Sequence, residues 1–317
     1  MPDARIVVKR KILKEDTKPK TAWEILLADI KRNKWSYYLM LPYMLLFTLF
    51  IIIPVILSIY LSFTYYNIIE APKMIGWSNY KMLFLNDPVW LIALKNTFIF
   101  ALITGPLSYI SCLLFAWTIN ELKPKLRSIA TLLFYAPSIS GGAFMIWTFI
   151  FSGDVYGLVN GWLMGMGILK EPKVWLQDPK INLYIIMLVQ LWMSLGTSFL
   201  AFIAGLQSID QSLYEAGAID GIKNRWQELY YITLPSMKPQ LIFGAIMQVT
   251  MVFAASDICL ALAGFPSPLY SAHTIVLHMM DYGNIRYDMG YASSIAVILF
   301  AITVFIGQTV RRYIKVD

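Results

Sequence analysis

Charged side chains are scarce in this 317-residue chain: Asp, Glu, Lys and Arg make up 14% of it, against about 25% in a typical soluble domain. Hydrophobic residues reach 58% and the mean hydropathy is +0.61, so lipid is the expected solvent. Cysteine is nearly absent. Cys112 and Cys259 both fall in apolar stretches, which excludes a disulfide framework and leaves them as small hydrophobes. Histidine occurs only at His273 and His278, without Cys or carboxylate ligands at matching spacing, and no metal site is expected. No G-x-x-x-x-G-K-[ST] loop occurs, so the chain does not hydrolyse ATP by that route.

What is abundant is long apolar sequence. A membrane helix needs roughly 20 mostly apolar residues, and six segments meet that test: 37–63, 96–119, 130–151, 181–206, 241–263 and 290–310. The expected fold class is therefore an all-α membrane protein of about six transmembrane helices. The first apolar run is too long for a signal-peptide core, so no cleaved leader is expected. Pro42, Pro54, Pro106 and Pro137 lie inside spans and imply kinks. Residues 155–169 are uncharged but interrupted by Gly157, Gly161, Gly165 and Gly167, which suits an interfacial or re-entrant piece.

The distribution of positive charge sets the orientation. With the amino terminus inside, 19 of the 26 Lys and Arg residues fall on inner segments, so both termini are expected in the cytoplasm. The +7 net charge then reports topology and needs no nucleic acid. Residues 1–36 form a basic cytoplasmic segment preceding a transmembrane domain at 37–317. Within it, Trp23, Leu26, Leu27 and Ile30 share a helical face that suits a helix at the headgroup level. A disordered basic tail is the alternative.

Ionisable residues inside the spans are rare, and Asp257 is the exception. Proton-driven carriers usually need buried carboxylates or histidines as relays, so an ion-coupled carrier acting alone is disfavoured. Uncharged polar residues are better represented: Gln190, Ser194, Thr197 and Ser198 share a face of the fourth span, and Gln248 and Thr250 lie in the fifth. Taken together they suit a substrate path; taken singly each suits interhelical bonding. Tyr135, Trp147 and Trp192 are candidates for stacking on a hydroxyl-rich neutral ligand. A cationic or anionic solute would call for more charge in the spans.

Between the fourth and fifth spans lies a polar excursion, residues 207–240, containing EAGAIDGIKNRWQELYYITLPSMKPQ. It reads as helix, turn, helix. Ala216, Gly217 and Ala218 allow a close backbone approach, Asp220-Gly221 marks the turn, and Ile222, Trp226, Leu229 and Tyr230 recur at helical spacing. Leu234-Pro235 is expected to stop the second helix and Pro239 to open the next span. A membrane-surface helix or a DNA-binding helix pair are the alternatives, and the near-balanced charge disfavours the second.

These residues carry a family resemblance. Glu215-Ala216-Gly217, Asp220-Gly221, Leu234-Pro235 and Pro239 resemble the EAA loop of ATP-binding-cassette importer permeases, with Gly217 standing where the family pattern has Ala. Segments such as LLFYAPSISGGAFMIWTFIF and RYDMGYASSIAVILF are similar to the carbohydrate-importer, maltose-transporter type. The resemblance implies a MetI-like type I importer permease in a bacterial cytoplasmic (inner) membrane. It implies a second homologous permease chain, two cytoplasmic ATPase subunits that carry the ATP and Mg, and an extracellular solute-binding lipoprotein or periplasmic protein delivering a sugar. No cofactor is implied for this chain itself. Glu215 would help fix the ATPase contact, with Trp226 and Leu229 as contact side chains. The alternative within the same class is an importer permease for another solute.

Overall fold

The computed structural model describes residues 30–314. The sequence-expected interfacial helix about Trp23, Leu26 and Leu27 lies outside the described residues. The described residues divide into two units, with the boundary between Leu57 and Ser58. Helix α1, Lys34–Leu61, supplies all the regular structure from Lys34 to the end of the first unit.

The second unit opens with a short antiparallel ribbon, β1 (Thr64–Tyr65) and β2 (Lys73–Met74), followed by α2 (Ser78–Lys81). Its bundle is then built from α3 (Pro88–Asn120), α4 (Pro124–Ile139), α5 (Ala143–Ile150), α6 (Leu158–Gly165), α7 (Asn182–Met193) and α8 (Thr197–Gln207). The excursion holds α9 (Gln211–Ile219) and α10 (Arg225–Glu228). Helices α11 (Lys238–Phe253), α12 (Asp257–Ala263), α13 (Ile275–Met280) and α14 (Met289–Ile314) complete it. Among the described residues four helical stretches are long and apolar enough to cross a membrane, and two bent pairs bring the total to six.

The spans match the hydropathy reading with two differences. Helix α3 begins at Pro88, eight residues before the expected start, because Asp87 caps it: its carboxylate accepts from the Val89 and Trp90 amides at 3.0 and 3.1 Å. The third, fourth and fifth spans are interrupted, α4 from α5 by an 82° bend, α7 from α8 at 194–196 without a sharp bend, and α11 from α12 by 41°.

Prolines are absorbed rather than used as stops. A π-helical turn at Thr48–Ile52 precedes Pro54, and another at Leu229–Thr233 precedes Pro235. In each the carbonyl four residues before the proline lies inside the wide turn, which relieves the clash a regular turn would impose. The helix therefore continues past Pro235 through Leu234–Ser236. The expectation that Leu234-Pro235 ends it is corrected. Pro239 does fall in the first turn of α11.

The core lies where α3, α8, α11 and α14 pack together. Near the excursion it is filled by Cys112, Phe199, Phe202, Met237 and Leu241, and further along by Phe100, Ile186, Val252 and Cys259. At the end away from the excursion a buried polar chain ties three helices. The Asp87 carboxylate accepts from the Tyr291 hydroxyl at 2.7 Å and from His278 Nε2 at 2.9 Å. Because His278 donates through Nε2, its Nδ1 is left to accept from His273 Nε2 at 3.3 Å. Both histidines are 1% exposed, so they are interior groups and not part of a solvated loop. Arg286 pairs with Asp281 at 2.7 Å beside them.

Burial pushes the Asp87 carboxyl up, but the hydrogen bonds from Tyr291, Trp90 and His278 outweigh it and leave it below the usual range. Burial, reinforced by His278, holds His273 down to about 4, and burial also lowers His278. The unfolded chain takes up protons on these histidines below about 6.5, where the folded chain still resists them. Stability is therefore full above about pH 6.5 and falls as the pH drops toward about 4. Thermal unfolding of the detergent-solubilised protein from pH 7.5 to 4 should show this decline, and it should be shallower in a His273→Gln variant; an unchanged slope in that variant would contradict the assignment.

Candidate coupling loop and substrate cleft

Three interrupted helices share one place in the bundle. The α4–α5 bend, the α7–α8 break at 194–196 and the α11–α12 break at 254–256 meet around a cleft of about 200 Å³. Its lining includes Ser138, Phe144, Gln190, Met193, Ser256 and Asp257. A side chain at Gly196 would meet Ser138 at 3.6 Å, so the α4 end and the α7–α8 break lie against each other. Irregular backbone at membrane depth survives only where protein buries it or a cavity exposes it to water. Helix breaks and cleft are therefore one feature, and Met251, Ala254, Ala255 and Ile258 complete a mixed lining.

The sequence-predicted pathway residues divide here. Gln190 and Asp257 line the cleft, and the Ser256 hydroxyl donates to Asp257 at 3.1 Å. Trp147 and Trp192 meet edge to face with centroids 5.7 Å apart, joining α5 to α7. Tyr135 instead lines a separate recess with Arg127, Thr131 and Gln207.

Ser194 and Gln248 do not line the cleft. Gln248 is 3% exposed, and its Nε2 donates to the Ser194 carbonyl and to Cys112 Sγ, both at 3.4 Å. The Ser194 hydroxyl turns back to Leu191 at 2.7 Å. Ser198 donates to the Gly244 carbonyl at 3.0 Å. These residues bond helix to helix, the alternative that holds for each taken singly, and Gln248 also borders an apolar recess with Phe98, Tyr109 and Phe253. Helical spacing shows which residues share a face, and the identity of the neighbour decides whether that face is wet. Ser138 and Ser256, which do line the cleft, escape a search for helical periodicity because they sit at helix ends.

The excursion is a compact helical hairpin. Asp210 caps α9 by accepting from the Ser212 amide at 3.0 Å, and Asn224 caps α10 by accepting from the Gln227 amide at 2.8 Å. Gly221, at φ +95°, makes the turn that a side chain would strain. Gly217 is buried against the second helix: a Cβ there would lie 2.6 Å from Ile232 Cδ1 and 3.0 Å from Ile222 Cδ1. The Tyr214 hydroxyl and Thr233 Oγ1, 2.9 Å apart, close the hairpin further along. Glycine at 217, where the family pattern has alanine, is thus matched by an isoleucine side chain filling the space.

Outward, the hairpin exposes Glu215, Ala216, Ile219, Asp220, Trp226, Tyr230 and Tyr231. Leu229 is only 8% exposed, whereas Trp226 is 65% and Tyr230 67% exposed. The expectation that Leu229 is a docking contact is corrected, since Leu229 is buried with Thr233 in the folded hairpin. Tyr230 and Tyr231 hold the exposed aromatic surface in its place, and Leu234 is partly buried against the core.

The family described as binding-protein-dependent transport system inner membrane component matches residues 121–315, which contain the hairpin and the cleft lining. The chain belongs to that family. It is a membrane permease of an ATP-binding-cassette importer, a transport component and not an enzyme. This permease is 34% identical over 276 residues to the probable ABC transporter permease protein YesP of Bacillus subtilis (strain 168), covering 86% of this chain and 87% of the relative. It is 32% identical over 216 residues to the lactose transport system permease protein LacF of Rhizobium radiobacter, covering 68% and 70%. Its fold is shared with a chain of the bacterial alginate ABC transporter in complex with alginate pentasaccharide-bound periplasmic protein. That match has a TM-score of 0.74 and 24% identity, covering 92% of this permease and 98% of that chain.

Two substitutions separate cleft from packing. Gln190→Leu should change the apparent affinity or rate of uptake, while Gln248→Leu should leave affinity unchanged and lower thermal stability by about 1 kcal/mol. Transport assays and unfolding on both variants check this, and an affinity change confined to Gln248→Leu would reverse the assignment.

Proposed function

We propose that this permease translocates a neutral sugar or oligosaccharide across a bacterial cytoplasmic membrane, and that it pairs with a second permease chain and two cytoplasmic ATPase subunits. An extracellular solute-binding protein delivers the substrate. The exposed hairpin is the observation that carries the coupling part of this reading. A soluble-facing surface with Trp226, Tyr230, Tyr231 and Ile219 uncovered, held rigid by two caps and a buried glycine, suits docking to a protein. Glu215, Ala216, Asp220 and Gly221 lie on the same hairpin, and Glu215 supplies a carboxylate for the ATPase surface. ATP binding draws the two hairpins of the permease pair together and turns the pathway outward; hydrolysis returns it, as a rigid-body change.

The sugar reading rests on the cleft. Gln190, Ser138 and Ser256 offer neutral hydrogen-bonding groups, Asp257 is its one carboxylate, and no Lys or Arg lines it. An anionic solute would lack a counter-charge there. The Trp147–Trp192 pair supplies aromatic surface close by on α5 and α7. Relatives named for sugar transport, LacF among them, point the same way.

Gly217→Leu and Gly221→Pro should each abolish uptake while the permease still inserts in the membrane, because one forces the hairpin apart and the other cannot hold its turn. Radiolabelled uptake beside membrane immunoblots checks this. The substrate is found by asking which solute, with the binding protein, raises ATP hydrolysis by the reconstituted complex. A neutral sugar should do so, and stimulation only by a charged solute would overturn the sugar reading.

A further inference from the structure

The hairpin is fastened to one transmembrane helix by a two-point contact. Trp117 in the last turn of α3 and Glu121, the residue that caps its carboxyl end, stand four residues apart. Opposite them are the consecutive residues Arg225 and Trp226 at the start of α10. The Trp117 and Trp226 ring centroids are 5.1 Å apart. Arg225 Nη2 donates to Glu121 Oε2 at 2.9 Å, and its Nη1 donates to Glu228 Oε2 at 2.6 Å within its own helix. The guanidinium is thus braced by its own helix while it reaches the other. Beneath the contact lies a polar cavity of about 380 Å³ lined by Asn120, Gln211, Tyr214 and Thr233 besides these residues. These two contacts join the start of α10 to the end of α3.

We propose that Trp117 and Glu121 clamp Arg225-Trp226 so that the hairpin and α3 move as one body during the transport cycle. These are positioning residues, and the inference rests on the hairpin being the element that the ATPases move. Helix α3 is 33 residues long, roughly 50 Å at 1.5 Å per residue. At its far end Asp87 holds His278 and Tyr291. A displacement of the hairpin is therefore delivered to α13 and α14 at the opposite end of the bundle. A clamp of one ion pair and one aromatic pair is weak enough to tune and stiff enough to set orientation.

The test uses the complete transporter in proteoliposomes, with ATP hydrolysis and uptake measured on the same samples. Glu121→Arg should keep the ATPase subunits bound and hydrolysing while uptake per ATP falls about three- to fivefold, the scale of one exposed ion pair. Glu121→Gln should give a smaller loss in the same direction, and Glu121→Arg with Arg225→Glu and Glu228→Gln should recover most of it. Separately, Glu121→Cys with Arg225→Cys, in a background lacking the buried Cys112 and Cys259, should regain uptake when the pair is bridged by a reducible bifunctional thiol reagent, since a rigid joint tolerates a cross-link.

Cross-linking that stops uptake reversibly would overturn the proposal, because the joint would then have to open. So would loss of the ATPase subunits from Glu121→Arg, which would make the pair a docking element. If the Glu121 variants transport normally while Gly217→Leu does not, the clamp is wrong and the coupling hairpin stands. If Gly217→Leu also transports normally, the coupling reading itself has failed.

Discussion

Lipid cannot hydrogen-bond a peptide group, and this constraint decides where the chain can leave the helix. Six apolar stretches obey it, but three of them are interrupted, and the interruptions meet around a single cleft. None of those breaks would be tolerated alone against lipid. Placed together they shelter one another, Gly196 packing close to Ser138, and they border a cleft whose lining mixes Ser138, Gln190, Ser256 and Asp257 with apolar side chains. Within the second unit the spans that stay unbroken, α3 and α14, serve a different purpose. They carry the core packing and run past the broken ones from one end of the bundle to the other.

The spans are legible in the sequence because hydropathy is a property of single segments, and transfer into lipid acts on each segment by itself. The start of α3 shows the limit of that reading. Lys95 interrupts the apolar run, so composition places the boundary at Asn96, yet the Asp87-Pro88 cap carries the helix back a further two turns. A cap signal stood in the sequence there and outranked hydropathy. The hairpin was legible for a similar local reason, since Asp220-Gly221 and the small residues before it specify a turn and a close approach whatever surrounds them.

What the sequence did not disclose depends on partners far away along the chain. Asp87 and His278 are 191 residues apart, and nothing local marks either as half of a buried pair. Ser194 and Gln248 look like pathway residues because a polar stripe can face water or another helix, and only the position of Cys112 on α3 settles it for these two. Leu229 was misplaced as well. The spacing groups it with Trp226 and Tyr230, yet in the folded hairpin Leu229 and Thr233 are buried while Trp226 and Tyr230 stay exposed, and the spacing alone does not divide them.

The π-turn over Leu229–Thr233 bears on how the hairpin can transmit force. Had Pro235 ended the helix, a flexible joint would separate the hairpin from α11, and movement of one would be lost before reaching the other. Because the wide turn absorbs the proline, the chain stays helical from Arg225 to Ser236 and bends only at Met237, whose side chain is fully buried in the core. The hairpin is therefore held on two sides, covalently through a short bend into α11 and non-covalently through Arg225 and Trp226 onto α3. Helices α3 and α11 also pack against each other. Both attachments bear on helices of the core, and α11 leads through its break directly to Ser256 and Asp257 in the cleft.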